Sequence, residues 1–168
     1  MHRVILSFLK LSNSFSAYIL LPLLMFVSIF DIIGRKFANV GSTQLQELQW
    51  HFFFASVMLS IGYAYVSDGH VRIDILRNRF SPKLRKRIEI LGCVIAVIPL
   101  SVLFIWAGGE QAWRALISGE RSAAALGLES RWIIKSVVPI GGILLLLAGI
   151  YTIRKNLAAL RRPSNDGE

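Results

Sequence analysis

The sequence predicts an all-α integral membrane protein with four transmembrane helices and both termini cytoplasmic. The chain of 168 residues is 54% hydrophobic and only 17% charged, with a mean hydropathy of +0.56, a combination that a soluble domain with a polar surface rarely shows. Its apolar residues fall into four blocks of about 19–22, each long enough to cross a hydrocarbon core about 30 Å thick at 1.5 Å per helical residue. The basic residues cluster in the gaps between these blocks. A net charge of +9 would raise the question of nucleic acid in a soluble protein. Membrane topology accounts for it better, so the expected surroundings are a lipid bilayer and no nucleic acid.

The whole chain, 1–168, reads as a single membrane domain. Arg3 and Lys10 lead into the first apolar run, 15–33. A signal peptide would have a shorter apolar region, about 7–15 residues, ending at a small-residue cleavage site, so the run is expected to stay as helix 1, with Pro22 packed into it or kinking it slightly. The segment after it, with Arg35, Lys36, Asn39 and Gly41, is short enough for an antiparallel helix hairpin. Helix 2 is predicted over 45–66. Its aromatic residues give way to Ser56, Ser60 and Gly62, small residues that let helices approach closely in lipid.

The stretch from Tyr63 to Ile75 ends that helix and opens a basic segment, with seven cations within sixteen residues from Arg72 to Arg87. Ser81 as N-cap and Pro82 at the first helical position start helix 3, predicted over 82–113 with Pro99 inside it. A longer connection carries Glu110, Arg114, Glu120 and Arg121, and helix 4 is predicted over 132–153. Residues 154–168 form a basic, then polar, cytoplasmic tail. With four spans, the N-terminal segment, the middle loop and the tail share one side and hold thirteen of the nineteen cations. The positive-inside rule makes that side cytoplasmic.

Chemistry-bearing residues are few and lie at the span ends. The span centres, around Met25, Val57, Val97 and Ile143, hold only apolar, small or hydroxyl residues, whereas a protein that moves ions by itself usually carries an ionisable group or unwound backbone there. Asp31, Glu47 and His51 fall at the outer ends of helices 1 and 2, and Glu47 and His51, four apart, share a helix face. They could bind a metal or relay a proton; the plainer reading pairs them with Arg35 and Lys36 or with interfacial water. Arg72 and Asp74, with Asp68 and His70 before them, could form an ion-pair cluster or sit on anionic headgroups. Glu110 and Arg114 have the spacing of an amphipathic continuation of helix 3. The single Cys93 lies in an apolar span and permits no disulfide within the chain. No nucleophile elbow, phosphate loop or paired zinc motif is present, so no catalytic group, cofactor site or metal site is assigned.

Glu47 and Trp50, then Ala64-Tyr65 leading to Asp68-Gly69-His70-Val71-Arg72-Ile73-Asp74-Ile75, then Ser81-Pro82 and Pro99, together resemble the small membrane subunit of tripartite ATP-independent periplasmic (TRAP) transporters, the DctQ-like family. Gly119-Glu120-Arg121-Ser122, Leu126-Gly127-Leu128, Trp132 and Pro139 extend the likeness, although family members often carry a proline where this chain has Glu129-Ser130-Arg131. The resemblance implies a secondary uptake system of the bacterial inner membrane. In such a system a periplasmic binding protein captures an organic acid or related solute, and a large membrane subunit carries it on an ion gradient, commonly sodium. It also implies that the small subunit is no enzyme and needs no cofactor. Its expected work is to act as scaffold for the large subunit and to help dock the binding protein, with Glu47, Trp50, Asp68, Gly69, His70, Arg72, Asp74, Ser81, Pro82, Pro99, Glu120, Ser122 and Trp132 as candidate motif or interface residues. The alternative is an autonomous small homodimeric exporter of the multidrug type, which would need a carboxylate near the midplane of helix 1. An intramembrane enzyme, the third reading, would need polar groups converging on a cavity.

Overall fold

A computed structural model describes residues 2–38, 42–67, 81–122, 124 and 127–161. They form four helical rods, with no strand among the described residues. The first joins α1 (His2–Phe15), a π-helical turn (Ser16–Leu20) and α2 (Leu21–Ala38). The second is α3 (Thr43–Val66). The third joins α4 (Pro82–Gly92), a π-helical turn (Cys93–Val97) and α5 (Ile98–Ile117), and the fourth is α6 (Arg131–Arg161). Three stretches, Arg3–Phe37, Lys83–Ile117 and Arg131–Arg161, are long and apolar enough to cross a membrane. The rod α3 has 24 residues, about 36 Å at 1.5 Å per residue, and its first turns carry Gln46, Glu47, Gln49 and His51.

Helix 1 begins at His2 rather than near Phe15 because α1 has somewhere to pack. Leu9 is only 1% exposed and joins Leu144 and Ala148 in a cluster flanked by Ile5, Leu59, Tyr63 and Val66. Hydroxyls stitch the same seam: Ser12 Oγ donates to the Leu59 carbonyl at 2.8 Å and Ser16 Oγ to the Ser56 carbonyl at 3.0 Å. Both hydroxyls thus find a carbonyl on the neighbouring rod, as an apolar surrounding favours.

Pro22 and Pro99 each follow a π-helical turn rather than a simple kink. The amide of Leu21 reaches back five residues to the Ser16 carbonyl, and that of Ile98 to the Cys93 carbonyl. A proline lacks the N–H and its ring collides with the carbonyl four residues earlier, here Tyr18 and Ile95. A widened turn moves that carbonyl aside, so each rod passes its proline unbroken. At the second turn the buried Cys93 thiol lies 3.0 Å from the Tyr65 hydroxyl.

The rods are held by glycine-mediated approach. A β-carbon on Gly62 would lie 2.6 Å from the Leu144 carbonyl oxygen, and one on Gly142 would lie 2.9 Å from Phe104 Cβ. α6 therefore lies between α3 on one side and α5 on the other. The contacts between α3 and α6 run in parallel order and those between α5 and α6 in antiparallel order, so successive rods alternate in direction. One end of the bundle gathers Asp31, the start of α3, the segment after α5 and the start of α6. The opposite end gathers the start of α1, the start of α4 and the end of α6, where buried Asn156 donates to Glu89 at 2.9 Å.

Candidate functional site: a polar cap at one end of the bundle

The segment that follows α5 is turned back by its own backbone chemistry. Gly119 takes φ +60°, a left-handed conformation that glycine accepts without steric cost. The Glu120 amide bonds to the Ala115 carbonyl at 3.0 Å and the Gly119 amide to that of Leu116 at 3.4 Å, a Schellman ending that satisfies the last helical carbonyls. The chain then folds on itself: the Ser122 amide donates to the Leu128 carbonyl at 3.1 Å and the Gly127 amide to that of Ala124 at 3.0 Å.

Glu47 is the residue on which this segment closes. It sits in the second turn of α3, whose N-terminus is capped by Ser42 Oγ accepting from the Leu45 amide. One carboxylate oxygen accepts from the Ser122 hydroxyl, and the other from the Leu128 amide at 2.7 Å. These partners lie 75 and 81 residues away in sequence. A carboxylate suits the position because both oxygens only accept, and the segment offers one hydroxyl and one backbone N–H. Gly127 is equally constrained, since a β-carbon there would come within 2.3 Å of Ser122 and 2.9 Å of the Glu47 carboxylate.

Glu120 ties the other side of the cap to α6. Its carboxylate pairs with Lys135 and lies 3.9 Å from the Arg131 guanidinium, while its carbonyl accepts from the Arg131 amide at 3.3 Å. The hairpin end of α2 has a separate cluster: Asp31, 3% exposed, pairs with Arg35 and accepts from Gln49 Nε2 at 3.3 Å. His51 Nδ1 is 2.5 Å from the Glu47 carbonyl and donates to it. Asp31, Glu47 and His51 therefore do not converge as a metal or proton-relay triad: each is turned to a different partner. The pairing of Glu47 with Arg35 or Lys36 is likewise replaced by its capture of the cap segment.

The remaining predicted residues divide by role. Ser122 belongs to the Glu47 clamp and Glu120 to the ion-pair group beside it. Trp50 is exposed and meets Phe53 edge-on, with ring centroids 6.4 Å apart. Trp132 is exposed at the start of α6, and its carbonyl accepts from Ser136 Oγ at 2.7 Å. Ser81 caps α4 by accepting from the Leu84 amide at 3.4 Å, Pro82 is its first residue, and Pro99 follows the second π-helical turn. Asp68, Gly69, His70, Arg72 and Asp74 lie outside the described residues. Glu110 and Arg114 pair along α5, which runs on to Ile117 as the amphipathic continuation expected of it. The sequence reading missed the link from Glu47 to Leu128; a glycine before a backbone donor gives no local signal of a partner so distant.

A bundle of apolar rods with its carboxylates gathered at the ends, in ion pairs and backbone-capturing hydrogen bonds, is a small multi-pass membrane protein. Residues 24–159 match the family of tripartite ATP-independent periplasmic transporters, DctQ component. The chain belongs to that family, and so is a small membrane component of a TRAP transporter. A comparison with curated proteins gives no match.

Proposed function

We propose that this chain is a scaffold that does not itself transport: it crosses the bacterial inner membrane four times, with both termini cytoplasmic, holds the large TRAP subunit, and helps dock a periplasmic binding protein. The observation that supports this best is the polar cap. Glu47 holds Ser122 and Leu128 together at the end of the bundle expected to face the periplasm, and groups already held in place suit repeated docking because less order has to be gained on binding. In this reading an organic acid or related solute arrives on the binding protein, and the large subunit moves it on an ion gradient, commonly sodium.

The placement of charge supports the division of labour. Asp31, the carboxylate that an autonomous exporter would need at mid-depth, lies at the hairpin end and is already paired with Arg35. At mid-depth, Ser56 and Ser101 return their hydroxyls to carbonyls of their own helices, at 2.7 and 2.6 Å. The test is reconstitution. The chain with its large subunit and binding protein should take up solute into vesicles given an inward ion gradient, and the chain and the large subunit should copurify; uptake by this chain alone would overturn the proposal.

A further inference from the structure

The four cations that open α4 are not equivalent. Lys86 Nζ donates to the Ala159 carbonyl of α6 at 3.4 Å, and Arg85 lies 4.0 Å from Glu89, which itself accepts from Asn156 of α6, so these two lie on the side of α4 turned to α6. Lys83 and Arg87 face away from it, are exposed, and have no partner among the described residues. Four residues apart, they stand about 6 Å from each other on one side of the helix. Immediately beside them runs an apolar track, Leu84 (42% exposed), Ile88 (45%) and Leu91 (57%), which leads along the rod toward its apolar middle.

We infer that Lys83 and Arg87 hold the headgroup phosphate of an anionic phospholipid whose acyl chains lie along Leu84, Ile88 and Leu91. Arginine offers a planar fork that matches two phosphate oxygens, and lysine adds a point charge one turn away. Free phosphate gains nothing from the apolar track. An acidic protein segment would satisfy the cations but leave that track uncovered at the depth where hydrocarbon begins. Two cations above a hydrocarbon-facing stripe match a lipid of negative charge in both its parts, and basic surfaces at helix ends attract such lipids. The inference rests on the chain being membrane-embedded and is independent of any role as a scaffold.

The experiment uses the full chain purified in non-ionic detergent with equal amounts of phosphatidylglycerol and phosphatidylethanolamine bearing the same acyl chains, the retained lipids being counted by native mass spectrometry. Phosphatidylglycerol should be retained in excess. Removing each cation should lower that preference about fivefold, so that Lys83→Gln with Arg87→Gln costs on the order of twentyfold. Lys83→Arg with Arg87→Lys should keep the preference, which separates lost charge from lost folding. The pair Lys155→Gln and Arg161→Gln, at the end of α6, should leave it within about twofold. An unchanged preference in the Gln pair overturns the inference. An equal loss from the α6 pair points to a diffuse field and also overturns it, as does displacement of the lipid by millimolar inorganic phosphate. Lost copurification of the large subunit with lipid retention intact would assign the cations to a protein contact instead.

Discussion

Replacing Gly62 by alanine tests the close approach of α3 and α6 directly. The added methyl would stand 2.6 Å from the Leu144 carbonyl oxygen, 2.8 Å from its carbon and 2.9 Å from Leu9 Cδ2. The Leu9 side chain can rotate away, but the Leu144 backbone cannot, because it is part of a helix. An ordinary carbon–oxygen contact is about 3.3 Å, so the helices must part by about 0.7 Å, and a gap of that size forfeits about a quarter to a half of the dispersion energy across the seam. Overpacking of this kind costs about 1–3 kcal/mol, against a gain of about 0.5–1 kcal/mol from removing a helical glycine. The net loss is about 1 kcal/mol or somewhat more, which in a chain of this size lowers the unfolding midpoint by about 2–4 °C. Gly109→Ala is the matched control. Nothing lies within 4 Å of a β-carbon there, so only the helix gain remains and the midpoint should rise. Thermal unfolding of both variants in the same detergent decides the matter. A Gly62→Ala protein as stable as Gly109→Ala would refute the argument that backbone proximity holds these rods together.

Other outcomes follow from the cap and from the opposite end. Glu47→Ala should free the segment from Ser122 to Leu128, seen as faster amide hydrogen exchange at Leu128 with exchange in the lower half of α3 unchanged; equal exchange at Leu128 would remove Glu47 as its anchor. Gly127→Ala should have the same effect through its clash with Ser122, and Ser122→Ala a smaller one, because the Leu128 amide keeps its acceptor. Asn156→Leu should destabilise the chain by about 1–2 kcal/mol, as the loss of a buried donor to Glu89 does, and a midpoint at or above the parent's would show the pair to be dispensable.

Much of the fold was legible because it depends on quantities counted along the chain. Apolar run length against helical rise yields the rods, and Ser81 followed by Pro82 marks the start of α4 as a local rule of capping. The extension of helix 1 back to His2 was not legible. Residues 1–14 carry Arg3, Lys10 and Asn13 among their apolar residues, and only the presence of Tyr63 and Leu144 opposite Ile5 and Leu9 makes that segment worth ordering. The candidate site was half legible. Glu47, Glu120 and Ser122 could be named, but not joined.

By itself the sequence determined an all-helical membrane chain, the residues at each helix end, and an apolar interior, since each follows from composition and period. The tertiary structure alone decided which polar groups meet and which glycines matter. Glu47 reaches Ser122 and Leu128 across 75 and 81 residues, and Gly62 is crowded while Gly109 is open. It also divided the four cations of α4 into two that face α6 and two that face outward. In each case the physical reason is the same: hydrogen bonds and close packing act over a few ångströms, and the groups they join are brought that near only by the way the rods assemble.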